Sequence, residues 1–211
     1  EEISIQIMDM NDNLINYYKS RVQNEKIESY EMSTNEFTYI SNSNLSNNKG
    51  VNRFKWDMRH RGSWNQNTRF SYRNGPLVKP GKYKIILKID DNSYTQNMEI
   101  IPDPRIKDIT HDIYQEQERL LLEIRDFMTD VRLFENRVSK MLEKKPKNKK
   151  LISLYKELNT KEGTYMQPML IDQIRYLQSM LSRADQKPGK DAYDRLEELK
   201  IEFNLLKDIL G

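Results

Sequence analysis

His60 and His111 are the only imidazoles in the chain. Neither stands in an H-E-x-x-H pattern or at ligand spacing from the other, so the sequence offers no zinc-type or triad chemistry. No cysteine is present, which removes thiolate catalysis, disulfides and cysteine-based metal sites. Paired carboxylates such as Glu197 and Glu198 are of the type that general acid and base catalysis needs, but on the polar side of a heptad helix they read as solvated charge. Asp90-Asp91-Asn92 lacks the ligand series and the distant bidentate Glu of a calcium loop and reads as a hairpin turn. No G-x-S-x-G elbow, P-loop or dinucleotide-binding glycine run occurs. The expectation is no catalytic residue, no metal and no cofactor within this chain.

Two constellations point to binding rather than reaction. The run KKPKNKK, residues 144 to 150, suits either a solvated interhelical turn or contact with phosphate, acidic lipid or an acidic partner. The aromatics Trp64, Phe70 and Tyr72 suit a sugar-stacking platform on the sheet half, against the plainer reading of strand residues packed inward. They are the candidate ligand or partner contacts.

The elements that must position these groups fall into two unlike halves. Residues 1 to about 105 hold short alternating runs, many Asn and Ser, both Trp, four of the seven glycines and four of the seven prolines. The remainder is rich in Leu, Ile, Glu, Lys and Arg at long apolar period. That contrast predicts an α+β chain. The 35 basic and 32 acidic side chains nearly balance, at a net charge of +3, so no field that would gather nucleic acid is indicated. EEISIQIMDM shows no basic n-region and no continuous apolar stretch, so neither a signal peptide nor a membrane span is read there, and the chain begins as though cut from something longer.

In ISIQIM, Ile3, Ile5 and Ile7 alternate with Ser4, Gln6 and Met8, and Asn11-Asp12-Asn13 then supplies turn chemistry, which predicts a hairpin. SNSNLSNN, residues 41 to 48, reads as an exposed loop, although Asn44-Leu45-Ser46 also fits a glycosylation acceptor. In residues 50 to 60, Phe54, Trp56 and Met58 would share one strand face, with Trp56 in the core. KYKIILKI sets Tyr83, Ile85, Leu87 and Ile89 on one face, and Asp90-Asp91-Asn92 returns the chain into SYTQNMEI. Pro80-Gly81 predicts a type II turn that launches the Tyr83 strand. Short strands punctuated this way suggest a β-sandwich of immunoglobulin or fibronectin type III shape over 1–105.

Beyond Asp103-Pro104-Arg105, with Asp108 or Thr110 as N-cap, the residues Leu120, Ile124, Phe127, Val131, Phe134, Val138 and Met141 form a heptad stripe. It predicts a helix over about 110–143, roughly 50 Å long. A short helix is expected from Lys149 to Leu158 or Glu162, ended by Gly163, and a third from Pro168 in its first turn through Leu181. A fourth, after Pro188-Gly189, carries Ala192, Leu196, Leu199, Phe203, Leu206 and Leu210. Short connections favour an antiparallel bundle of three long helices and one short one over 106–211, and a leftover apolar stripe would serve self-association.

The series Gly50-x-x-x-Phe54-x-Trp56-Asp57-x-Arg59, Gly75-Pro76-x-Val78-x-Pro80-Gly81-x-Tyr83, Tyr94-Thr95-Gln96 and Asp103-Pro104-Arg105, continued by LQSMLSRADQKPGKDAYDRLEEL, resembles the C-terminal region of bacterial sortilin-like, BNR-repeat propeller proteins often labelled as glycosyl hydrolases. The W-D-x-R and P-G-x-Y portion is also similar to the Ig-like domain of flagellar hook capping proteins. Residues 59 to 73 depart from that pattern in length and polarity. The resemblance implies a non-catalytic accessory module at the C-terminal end of a larger bacterial extracytoplasmic protein. Its partners would be the upstream propeller of the same polypeptide and a docked protein or polysaccharide, with no nucleic acid and no membrane span. The rival reading is a carbohydrate-binding module of a glycoside hydrolase.

Overall fold

A computed structural model of the chain describes residues 2–20 and 45–210. Four strands and four helices follow one another: β1 (Ile3–Asp9), β2 (Leu14–Lys19), β3 (Gly81–Ile89), β4 (Asn92–Ile100), α1 (His111–Lys144), α2 (Lys149–Leu158), α3 (Leu170–Leu181) and α4 (Lys190–Leu210). The protein is thus α+β, a four-stranded antiparallel sheet of order β2-β1-β3-β4 with four helices. It parts into two compact units, Glu1–Arg61 with Pro80–Asp103, and Gly62–Lys79 with Pro104–Gly211. Residues 62–79, which the sequence groups with the strands, belong with the helices.

In the first unit the alternation of ISIQIM becomes register. Ile3, Ile5 and Ile7 stand opposite Ile89, Leu87 and Ile85, so their side chains share one face. Asp9 fixes the β1–β2 turn: its Oδ1 accepts from the backbone N–H groups of Asn11 and Asn13, each at 2.8 Å, and its Oδ2 accepts from Asn13 Nδ2 at 2.8 Å. Asp12 takes φ 65°, a conformation that Asp tolerates well, and pairs with Lys84. At the other hairpin Ile89 opposes Asn92, so Asp90 and Asp91 form the two-residue turn.

Several expectations change on this unit. Residues 50–60 enter no strand, yet Phe54 and Trp56 turn the same way: Phe54 lies 4.6 Å from the Tyr18 ring and Trp56 meets Tyr83 edge-on at 6.1 Å. Trp56 is half-buried rather than central, and Met58, at φ 58°, is exposed. Gly81 has φ 158° and opens β3, far from the +80° of a type II turn, so that turn is not formed. The loop expected over 41–48, with Asn44, begins outside the described residues; Leu45 is buried and Ser46 to Asn48 are exposed.

In the second unit the heptad stripe of α1 is the wall on which the other helices pack. Leu120, Ile124, Val131 and Val138 are fully enclosed, together with Leu154 and Leu158 of α2, Leu170 and Ile174 of α3, and Leu196 and Leu199 of α4. Phe203 is held between Phe127 and Phe134, edge-on at 5.7 and 5.5 Å. Thr110 caps α1 by accepting from the Ile113 N–H, and Asn148 caps α2 through Lys150 and Leu151. Helix α2 stops at the Asn159 C-cap, before Gly163, and α3 begins after a Met169 N-cap, so Pro168 precedes the helix instead of opening it. The result is two long helices of 34 and 21 residues and two short ones of 10 and 12.

Leu199 is completely buried where α4 meets this core. Leu199→Ala should cost about 2 to 5 kcal/mol, from lost burial plus the cavity left behind, measured as a shift of the urea unfolding midpoint. A change under about 1 kcal/mol would mean that α4 does not share this core.

Candidate functional site

Residues 62–79 are tied to α1 by side chains that present hydrogen-bonding groups from one helical face. Arg132 Nη1 donates to Ser63 Oγ at 2.9 Å and to the Trp64 carbonyl at 3.1 Å, while the Trp64 N–H donates to Thr129 Oγ1 at 3.2 Å. Further along, the buried Glu118 accepts from the Lys79 backbone N–H at 3.0 Å and from its Nζ at 2.9 Å. The loop closes on itself where Gly62 N–H donates to the Tyr72 carbonyl and Tyr72 N–H to the Ser63 carbonyl, both at 2.9 Å. A Cβ at Gly62 would stand 1.9 Å from the Arg73 carbonyl oxygen, so only glycine permits this approach.

That geometry relocates the three candidate aromatics. Trp64, Phe70 and Tyr72 lie in the helical unit, not on the sheet. Trp64 and Tyr72 are half-buried, and Phe70 alone is open, at 62% exposure. Sequence reasoning missed the side chains that hold them, Glu118, Thr129 and Arg132, because surface polar residues of a long helix look alike until a loop is laid across them.

A second polar cluster stands where α1 meets the α3–α4 connection. Gln117 is buried, and its Nε2 donates to the carbonyls of Leu181 at 2.7 Å and Ala184 at 2.8 Å. Carbonyls at a helix C-terminus lack intrahelical partners, and Gln117 satisfies one of them for α3. Tyr114 Oη donates to Asp185 at 3.1 Å, and Tyr193 Oη to Glu116 at 2.8 Å. The signal was present in the sequence: Gln117 sits seven residues before Ile124, a polar side chain on the apolar stripe.

Between α1 and α4 runs an open groove of about 550 Å³, floored by Leu122, Phe127 and Phe203 and edged by Arg119, Asp130, Lys200 and Lys207 among others. Lys200 bridges Glu123 at 2.6 Å and Glu197 at 2.7 Å. Burial alone would lower its ammonium pKa, but those two hydrogen bonds outweigh burial and hold it above the ordinary 10.5. Burial, with Asp126 nearby, lifts the Asp130 carboxyl. The groove carries charges of both signs, and the geometry brings no nucleophile and base together in it.

The outer face of α4 is different. Ile201, Leu205 and Ile209 are 59%, 62% and 43% exposed, and their spacing of four aligns them along one side of the helix. The exposed acids Asp194, Glu197, Glu198 and Asp208 fall on the same side by helical period. Glu197 and Glu198, weighed from sequence as an acid-base pair, are engaged by Lys200 and Arg195, the latter at 2.7 Å. The lysines of residues 144 to 150 are exposed around the α1–α2 turn. His60 is buried in the sheet unit, and His111 is exposed at the first position of α1. Among the described residues no cluster of three or more His, Asp or Glu is placed to hold a metal ion, and no helix is long and apolar enough to cross a membrane.

Two outcomes test this description. Gly62→Ala should destabilise the protein by about 1 to 3 kcal/mol through overpacking against Arg73, read by thermal unfolding; wild-type stability would refute the close approach. Burial raises the Glu135 carboxyl above its ordinary 4.5, with the Asn159 hydrogen bond and the Arg132 charge opposing it. The folded chain then holds that proton longer than the unfolded one. Its stabilising contribution is fully present below 4.5 and lost as pH rises through the folded value. Glu135→Gln should therefore gain melting temperature relative to wild type as pH rises from about 4 to about 7; a difference that stays constant with pH rejects the assignment. Among known proteins, no family model, no curated protein and no solved structure matches the chain.

Proposed function

We propose that the chain is a non-catalytic interaction module, the accessory part of a larger extracytoplasmic protein, whose helical unit docks a partner protein through the outer face of α4. The observation that carries the docking reading is the exposed row Ile201, Leu205 and Ile209 on a helix whose opposite face is sealed in the core. Acidic residues border that row; although Lys190, Arg195 and Lys200 pair three of them, acids outnumber bases on this side by helical period, which favours an amphipathic partner helix with basic flanks over an acidic one. The accessory placement and the compartment rest on the motif resemblance to the C-terminal region of the propeller family.

For the sheet unit we infer an Ig-like sandwich from the motif resemblance; among the described residues one sheet is formed, with the Phe54 and Trp56 rings against its Tyr18 and Tyr83 side. The carbohydrate-binding reading has less support, because stacking needs open rings and of its three aromatics only Phe70 offers one.

Fluorescence anisotropy with two synthetic amphipathic helices, one of Leu and Lys and one of Leu and Glu, tests the docking. The lysine peptide should bind, weaken with added salt, and lose about tenfold or more in affinity on the double change Ile201→Ser and Leu205→Ser. Equal binding of the glutamate peptide, or affinity unchanged by the substitutions, rejects this surface.

A further inference from the structure

We propose that the free edge of β4 pairs with the same edge of a second copy of the chain, antiparallel about a two-fold axis at Gln96. The inference is independent of the α4 docking face.

The two edges of the sheet are treated differently. The β2 edge is occupied: Leu45 N–H donates to the Lys19 carbonyl and Arg61 N–H to the Ile15 carbonyl, each at 3.3 Å, and Asn16 Nδ2 donates to the Arg59 carbonyl at 3.2 Å. The β4 edge is not. All nine of its residues pair with β3 in unbroken register, and among the described residues no backbone hydrogen bond is made from its other side. Asn92 to Asn97 are exposed throughout.

Exposed edge strands usually carry protection: a proline, a lysine, a bulge or short length. β4 has none of these over NSYTQNMEI, and Glu99 is its only charge. A row of N–H and C=O groups without partners among the described residues, on a nearly neutral strand, is a template for another strand.

The sequence of β4 complements itself. With the axis at Gln96, Thr95 opposes Asn97, Tyr94 opposes Met98, Ser93 opposes Glu99 and Asn92 opposes Ile100, so every residue of the strand is matched. Glu99 of one copy meets a serine, not a carboxylate. Moving the axis to Thr95 would set Glu99 against Asp91, and moving it to Glu99 would set that residue against itself; like charges directly opposite destabilise a sheet. A two-fold axis normal to the sheet preserves its faces. Tyr94 and Met98, which stand opposite Leu87 and Tyr83 on β3, would continue the apolar face into the second copy, with sulfur beside aromatic ring.

The absence of cysteine from the chain gives a clean test on the full chain. Directly opposed residues stand about 4.5 to 5.5 Å apart between Cα atoms, within the range a disulfide spans. Under mild oxidation Gln96→Cys should cross-link to a dimer at least about tenfold faster than Tyr165→Cys, a fully exposed control position. Sedimentation of the wild-type chain should show a concentration-dependent dimer. Gln96→Lys sets two ammonium groups against each other and should weaken that dimer about fivefold or more without lowering the melting temperature measured on chain diluted to monomer. A wild-type chain that stays monomeric at millimolar concentration overturns the proposal. So does a dimer indifferent to Gln96→Lys, or a Gln96→Cys variant that cross-links no faster than the control.

Discussion

The apolar stripe of α1 is the constraint on which the rest of the helical unit depends. Helices of 10 and 12 residues, such as α2 and α3, are marginal in water by themselves, because nucleation costs more than a few turns return. They persist by laying Leu154, Leu158, Leu170 and Ile174 on Ile124, Val131 and Val138. The same helix carries Glu118, Thr129 and Arg132 for the 62–79 loop and Gln117 for the α3–α4 connection. One surface of α1 is thus apolar wall and, around its margin, hydrogen-bonding frame.

Gln117, Glu118 and Arg132 stand near that wall with partners in place, whereas the buried Asn136 Oδ1 has none among the described residues. Gln117 is buried but meets two carbonyls, which avoids the penalty of an unsatisfied amide. Glu118 accepts both a backbone N–H and an ammonium. Arg132 is partly desolvated, which lowers its pKa, with Arg175 adding to the effect; its contacts with Ser63 and Trp64 compensate in hydrogen bonds what hydration would supply. The charged residues of α4, by contrast, are exposed pairs such as Lys190 with Asp194 and Arg195 with Glu198, of the kind that contributes little to stability.

The helices were legible in the sequence because their information is local: a 3.5-residue apolar period and a cap at Thr110 mark α1 to within a residue or two, and the start of α2 at Lys149 was read correctly without its Asn148 cap being recognised. Both hairpins were legible for the same reason, with turn residues between alternating runs. What the sequence could not convey was non-local. Phe54 and Trp56 alternate as a strand would, yet pairing depends on a neighbour that periodicity cannot reveal. Residues 62–79 look like a long connection between strands until their partners on α1 are known. The candidate aromatics followed that segment, and so their expected setting on the sheet was lost with it. The exposed row on α4 was hidden for a different reason: Ile201, Leu205 and Ile209 look like core residues, and only the burial of Leu199, Phe203 and Leu206 on the other side shows which face is spent.

Gly62–Lys79 also makes the connectivity of the protein unusual. The backbone passes from the sheet unit to the helical unit, back again at Pro80, and across once more at Pro104. Neither unit therefore corresponds to a continuous stretch of gene. Excising the strands at a cut near residue 105 would carry the 62–79 excursion away from Glu118, Thr129 and Arg132, leaving its polar backbone to water, while the helices would lose the strap across α1. Recombination or domain shuffling at that apparent border would damage both pieces. Intact transfer of the helical unit therefore requires residues from both sides of that border to move together.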